Sequence, residues 1–306
     1  MTYSVTVAIP YVEEFPFLVA SLREIQRLAH LEIETEVIVV DQSGTDDLNS
    51  TIAQYQNVKH VKTNRIDAGY PLEVAARQAS GQYFCSLDAD AFPISSKWLY
   101  LPVKLIEEFG LSFVGKNTGL HVPYAHAGPF FHINNYYRVC KTSLAKSLAE
   151  RVGFCRYRNR DRTGFVYQDL VPTFDADCDN GVVSQWFSDQ INAGPKLSLA
   201  LNKILGMTTT QGVFGMTIDD MIFHFVFGFG REWIKDFQVE LGTDYLYWRD
   251  KIYRDGVSPE MVEEIKASLK PHHSFYDREY WDSDSKAYHS LTEADGIFKR
   301  IEELKA

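Results

Sequence analysis

Four short apolar runs, each separated from the next by a helix-like stretch, constrain this chain more than any other feature. Val5-Thr6-Val7-Ala8-Ile9 is largely β-branched and is stopped by Pro10, as a buried strand would be. Leu18, Leu22, Ile25, Leu28 and Ala29 then recur at helical spacing between Phe17 and His30. Glu36-Val37-Ile38-Val39-Val40 reads as a second buried strand that ends on Asp41. A helix over Leu48 to Tyr55, a third strand at Val58-Lys59-His60-Val61 and a helix over Pro71 to Ala79 with Gly81 as its stop come next. Tyr83-Phe84-Cys85-Ser86-Leu87 is a fourth strand and runs straight into Asp88-Ala89-Asp90. Strands alternating with helices predict an α/β fold, with a mostly parallel central sheet flanked by helices and right-handed crossovers. Ligands in such sheets bind beyond the carboxyl ends of the strands. Asp41, Asp88 and Asp90 all sit at such ends.

Charge and composition exclude several alternatives. The 306 residues carry 31 Lys+Arg against 41 Asp+Glu, a formal charge of −10, which opposes nucleic acid and anionic membrane as partners. The longest apolar run, Met221 to Phe229, is interrupted by His224 and Gly228 and is far short of the ~20 residues that span a bilayer. Met1-Thr2-Tyr3-Ser4 has no basic start leading into an apolar segment. Cys85, Cys140, Cys155 and Cys178 show no CxxC spacing. The expectation is a cytoplasmic chain, at most peripheral to a membrane, with its cysteines reduced.

Downstream, helix-like stretches at Leu99 to Phe109, Ser143 to Arg151 and Val182 to Ala193 alternate with loops and short strands. Arg156 to Arg162 holds four arginines, as a solvated loop or as a phosphate or acceptor contact. Beyond Tyr245 the chain is polar and helical, and Ser258-Pro259-Glu260 reads as an N-cap, a first-turn proline and an early acid.

Two carboxylates flanking one residue at a strand end suit a hard divalent cation shared with ligand phosphates. The plain alternative is an aspartate capping the next turn. His224 lies among apolar and aromatic residues, with Gly228-Phe229-Gly230-Arg231 close behind. Its ring is either a ligand to the same cation or a core histidine bonded to a carbonyl, and Arg231 is a candidate diphosphate clamp.

The three blocks Val5 to Tyr11, Val37 to Ser43 and Ala75 to Asp90, in that order and spacing, resemble the nucleotide-sugar half of a family-2-like glycosyltransferase with the GT-A (nucleotide-diphospho-sugar transferase) fold. The resemblance implies a metal-dependent transfer of a sugar from a nucleotide-diphosphate donor, UDP-, GDP- or dTDP-linked, to a hydroxyl of a glycan or other acceptor. It implies donor contacts at Pro10, Tyr11, Glu13, Asp41, Arg77 and Asp88, to which Arg231 is added. It also implies Mn²⁺ or Mg²⁺ at Asp88 and Asp90, with His224 completing the shell. Phe174 to Gly181, followed by a helical Val182 to Ala193, resembles the family's acceptor block. There Asp175, Asp177 and Asp179 compete, with Asp177 and Asp179 the candidate general bases of an inverting reaction; N-capping is the alternative use of the same acids. The expected layout is a GT-A domain over 1–240, divided into a nucleotide-sugar half (1–100) and an acceptor half (100–240), and a helical extension over 241–306.

Rival readings fit less well. A sugar-phosphate nucleotidyltransferase would want a glycine-rich phosphate loop where Pro10-Tyr11-Val12-Glu13-Glu14 stands. An aspartyl phosphohydrolase would want Thr or Val where Phe92 stands. A non-catalytic nucleotide-sugar or carbohydrate-binding module would need no intact acidic pair.

Overall fold

The computed structural model describes residues 2–12, 15–44, 48–64, 70–109, 113–117, 133–151, 157–158, 166–167, 215–217, 221–225, 245–268, 303–304 and 306. Its first third follows the sequence pattern closely. Strands β1 (Tyr3–Tyr11), β2 (Ile33–Asp41), β3 (Val58–Lys62) and β4 (Tyr83–Leu87) alternate with helices α1 (Phe15–Arg27), α2 (Leu48–Ile52) and α3 (Tyr70–Gln78). β5 (Ala91–Pro93), α4 (Tyr100–Phe109), β6 (Phe113–Asn117), β7 (Ile133–Lys141) and α5 (Thr142–Arg151) follow. β8 (Tyr157–Arg158), β9 (Val166–Tyr167), β10 (Gly215–Thr217), β11 (Ile222–His224), α6 (Tyr245–Asp255) and α7 (Pro259–Ser268) complete the described elements.

Among the described residues, seven strands form one sheet in the order β10-β6-β7-β4-β1-β2-β3. Its pairs are parallel except where β7 runs against β4 and β6. The fold is therefore the α/β, mostly parallel arrangement expected from the alternation. One face of β1 and β4 buries Val5, Val7, Ile9, Tyr83, Cys85 and Leu87 together with Leu18, Leu22 and Ile25 of α1. Cys85 and Cys140 are buried and unbridged, as expected of small core residues.

β1 does not stop at Pro10. The Tyr11 carbonyl accepts from Gln42 N–H, so Tyr11 bonds toward β2 and Pro10 presents its missing donor toward β4. Pairing with β4 has already ended at Ala8↔Ser86, so no ladder bond is lost there. Gly81 also does more than end a helix. A Cβ there would stand 2.7 Å from the Thr6 backbone nitrogen and 2.9 Å from the Val5 carbonyl carbon. The approach lets Gly81 N–H donate to Thr6 Oγ1 at 2.9 Å.

Glu36 fastens the same corner. Its carboxylate accepts from Thr6 Oγ1 at 2.7 Å and from Ser80 N–H and Oγ at 3.1 and 2.8 Å, and it pairs with Lys59. Burial pushes this carboxyl up, but those four partners outweigh it and bring it down to about 2 from an ordinary 4.5.

α6 and α7 are fastened to α1. Arg23 donates to the carbonyls of Ile252, Tyr253 and Arg254 that close α6. Gly256, at φ +83°, ends that helix in the left-handed conformation, with its N–H on the Ile252 carbonyl. The buried Glu24 accepts from Val257 N–H at 3.2 Å and pairs with Arg27. Ser258 Oγ accepts from Met261 N–H at 3.2 Å, the N-cap read from the sequence.

Two outcomes follow. Gly81→Ala forces β1 and the α3–β4 connection apart and is expected to cost about 1–3 kcal/mol, read as a lowered melting temperature; an unchanged melt would contradict the close approach. Glu36→Gln is expected to destabilise the chain at neutral pH. Because the folded carboxyl lies below its unfolded value, that stability is present above about 4.5 and is lost as pH falls toward 2. Denaturation curves of the two proteins should thus converge on acidification, and a gap independent of pH would refute the assignment.

Candidate active site

The acidic pair occupies one tight turn at the carboxyl end of β4. Ala91 N–H donates to the Asp88 carbonyl at 3.0 Å, which folds Asp88-Ala89-Asp90 back on itself. The chain then enters β5, whose antiparallel partner is β11, with Ile222↔Pro93, Phe223↔Phe92 and His224↔Ala91 in register. Phe225 N–H donates to the Asp90 carbonyl at 2.9 Å and Ile94 N–H to the Met221 carbonyl at 3.0 Å, extending the ribbon at both ends. Main-chain bonding thus delivers His224 to Asp90, and its Nε2 lies 3.3 Å from Asp90 Oδ1.

The ribbon is held on both sides. Ser21 Oγ of α1 donates to the Ala91 carbonyl at 3.2 Å. Phe92 and Phe225 pack with Phe17 and Ala20 of α1 and with Trp248, Ile252, Met261 and Val262 of α6 and α7. The Phe17 ring stands 5.4 Å from Phe225 and 6.0 Å from Phe92, centre to centre.

One potential ligand atom from each of Asp88, Asp90 and His224 lies within 4.8 Å of the other two. Two carboxylates and an imidazole are donors suited to a divalent first-row cation. The electrostatics point the same way. Burial first, then the charge of Asp90, pushes the Asp88 carboxyl up to about 7 against the opposing pull of His224 and Arg138. Burial would lower His224, but Asp90 and Asp88 raise it above its ordinary value. Both shifts favour the protonated form of each group, Asp88 chiefly through burial and His224 through the neighbouring acids.

Asp41 forms a second centre at the end of β2. Its carboxylate is buried; Oδ1 accepts from Ser43 N–H and Oγ at 2.8 and 2.6 Å, and Oδ2 lies 3.0 Å from His60 Nε2. His60 Nδ1 in turn meets Asn49 Oδ1 at 2.5 Å. The sequence shows His60 only as a strand residue; it reaches Asp41 through the β2–β3 register, which leaves no signal in the sequence.

The other expected positions separate. Pro10 and Tyr11 lie at the end of β1, with Tyr11 paired to Asp41. Arg77 Nη2 donates to the Ala149 carbonyl at 2.8 Å and meets Glu73 at 3.4 Å, tying α3 to α5. Glu13, Arg231, Asp177 and Asp179 lie outside the described residues, as do Asp175 and most of the arginine cluster.

Residues 6–161, half of the chain, match the family model described as Glycosyl transferase family 2. No curated protein matches the sequence. Among solved structures, TarS 1–349 of S. aureus in complex with UDP-GlcNAc aligns at 22% identity and TM-score 0.39, covering 50% of this chain and 48% of that one. The chain thus spans about half the length of that protein. The mannosyltransferase PcManGT of Pyrobaculum calidifontis, with GDP-Man and Mn²⁺, aligns at 19% identity and TM-score 0.48 over 99% of this chain and 81% of that one. Glucosyl-3-phosphoglycerate synthase of Mycobacterium tuberculosis, with Mn²⁺, UDP and phosphoglyceric acid, aligns at 12% and 0.48 over 84% and 80%.

Proposed function

The chain belongs to glycosyl transferase family 2 and has the GT-A fold, and from that premise we propose that it transfers a sugar from a nucleotide-diphosphate donor to an acceptor hydroxyl, dependent on a divalent cation and with inversion at the anomeric carbon. The observation that carries this reading is the convergence of Asp88, Asp90 and His224 at the carboxyl end of β4. That is the sheet edge where ligands of parallel α/β folds bind. Asp88 and Asp90 would hold the cation through oxygen and His224 through imidazole nitrogen, a mixed set that favours Mn²⁺ over Mg²⁺. A cation so placed supplies charge neutralisation of the departing diphosphate.

The chain's own residues divide the remaining work. Asp41, oriented by Ser43 and His60, offers a fixed acceptor to the nucleoside, with Pro10 and Tyr11 forming the adjoining edge of β1. Glu13, Arg77 and Arg231 remain donor-contact assignments made from the sequence. Asp177 or Asp179 is assigned the acceptor proton, because a sugar hydroxyl is a weak nucleophile and a positioned carboxylate contributes ~10²- to 10⁴-fold as a general base. The donor is a UDP-, GDP- or dTDP-linked sugar and the product part of a glycan or polysaccharide. Among the described residues no helix is long and apolar enough to cross a membrane. We assign the chain to the cytoplasm, where it can approach acceptors from solution or at a membrane surface, and take 241–306 as a helical extension to the 1–240 catalytic domain.

Asp90→Ala and His224→Ala should each retain the fold yet weaken Mn²⁺-dependent nucleotide binding by at least about tenfold, His224→Gln less so. Thermal shift with UDP, GDP and dTDP, with and without Mn²⁺, reads this directly; unchanged affinity in Asp90→Ala would remove the metal assignment. Proton NMR of the product should show the anomeric configuration opposite to that of the donor, and retention would end the inverting reading.

A further inference from the structure

Arg138 lies on β7 directly opposite Ser86 of β4, two residues before Asp88. Alternate residues of a strand share a face, so the Arg138 side chain is on the side of the sheet from which Ser86 and then Asp88 project. It is 4% exposed and therefore cannot escape into water. Its guanidinium interacts with Asp88, and each acts on the other in the expected sense: Asp88 raises Arg138 and Arg138 lowers Asp88. Burial dominates at Arg138 and brings it down to about 10 from 12.5, so it remains a cation at neutral pH. No step of the proposed transfer uses it.

We propose that Arg138 is a positioning charge that makes the cation and the nucleotide diphosphate bind together rather than the cation alone. The inference rests on the proposed use of Asp88, Asp90 and His224 as a metal site. With a divalent cation bound the two carboxylates are ionised and the imidazole is neutral, so the ligands carry two negative charges, of which Arg138 already cancels one. A divalent ion therefore overshoots neutrality and is repelled by the guanidinium in a site of low dielectric. The anionic diphosphate restores the balance and is attracted by the same guanidinium. Arg138 thus opposes the bare ion and favours the ion with its nucleotide, and linkage requires the nucleotide to depend on the ion to the same degree.

The test separates this from a packing role by the sign of two effects. Mn²⁺ alone is titrated into wild-type, Arg138→Met, Arg138→Gln and Arg138→Lys proteins by calorimetry; UDP, GDP and dTDP are then titrated with Mn²⁺ present, folding being checked by near-UV circular dichroism. Arg138→Met and Arg138→Gln should bind bare Mn²⁺ about three- to tenfold more tightly while losing at least about threefold in nucleotide affinity, with Arg138→Lys near wild type in both. Weakening of both ligands, or a change in neither, overturns the proposal. So does loss of the fold in Arg138→Lys, which returns the residue to packing alone. Equal Mn²⁺ affinity of the wild-type protein with and without nucleotide overturns it without any variant. A wild-type protein that binds no Mn²⁺ at all removes the metal site itself, a result distinct from the failure of Arg138 in a protein that binds both.

Discussion

The pairing of His224 with Ala91 is the constraint on which the candidate centre depends. Asp88 and Asp90 by themselves are a turn at the end of a strand, a common place for aspartate with no ligand. The β5–β11 ribbon changes their setting. It adds an imidazole at 3.3 Å, and the Phe225 N–H bond to the Asp90 carbonyl removes the freedom of the turn to splay. Burying two acids in one place is unfavourable unless positive charge joins them. The ribbon holds them there through main-chain bonds that do not depend on the charge state of any side chain.

The ribbon in turn relies on distant parts of the chain. Phe92, two residues after Asp90, and Phe225, directly after His224, are buried together with residues of α1, α6 and α7. Arg23 and Glu24 of α1 secure α6 and α7 through backbone groups of Ile252 to Val257, so the packing that supports Asp90 and His224 is itself pinned by side-chain-to-backbone bonds, the Glu24–Val257 bond being buried. Helices that look like an appendage along the sequence therefore share a core with the β5–β11 ribbon. A change at Trp248 or Val257 acts on Asp90 and His224 through packing, without touching either residue.

What was legible in the sequence follows from the range of the signal. The sequence predicts β4 over Tyr83 to Leu87, where it lies, because a strand buried on both faces reads as a nearly continuous apolar run without charge. The Asp88–Asp90 turn was legible for the same reason, as charge appears abruptly where burial ends. His224 stood out as the polar residue in an apolar segment. Non-local geometry was not legible. The reversed direction of β7, over Ile133–Lys141, is decided by pairing with β4 and β6 and leaves no periodicity to read. The role of Gly81 lies in its distance from Thr6, and that of His60 in a bond across to β2. The sequence offers Arg77 as a donor contact, and the bond its guanidinium makes to the Ala149 carbonyl leaves no trace in the sequence. The extension of β1 through Pro10 needed knowledge of which neighbour each residue faces.

The spacing of the two acidic centres limits what can occupy both. Asp41 ends β2, Asp88 follows β4, and β1 lies between them. Two inter-strand steps of ~4.8 Å put the strand ends roughly 10 Å apart along one edge of the sheet. A ligand that reaches both must lie extended across the end of β1, over Pro10 and Tyr11, and must differ at its two ends. At Asp41 the carboxylate is already hydrogen-bonded and fixed, so a group meeting it without displacing it would be a neutral donor such as a ring N–H or a hydroxyl. At Asp88 and Asp90 the acids repel an anion unless a cation intervenes. One molecule with a neutral hydrogen-bonding head and an anionic, cation-binding middle satisfies both conditions, and a nucleoside diphosphate has that construction.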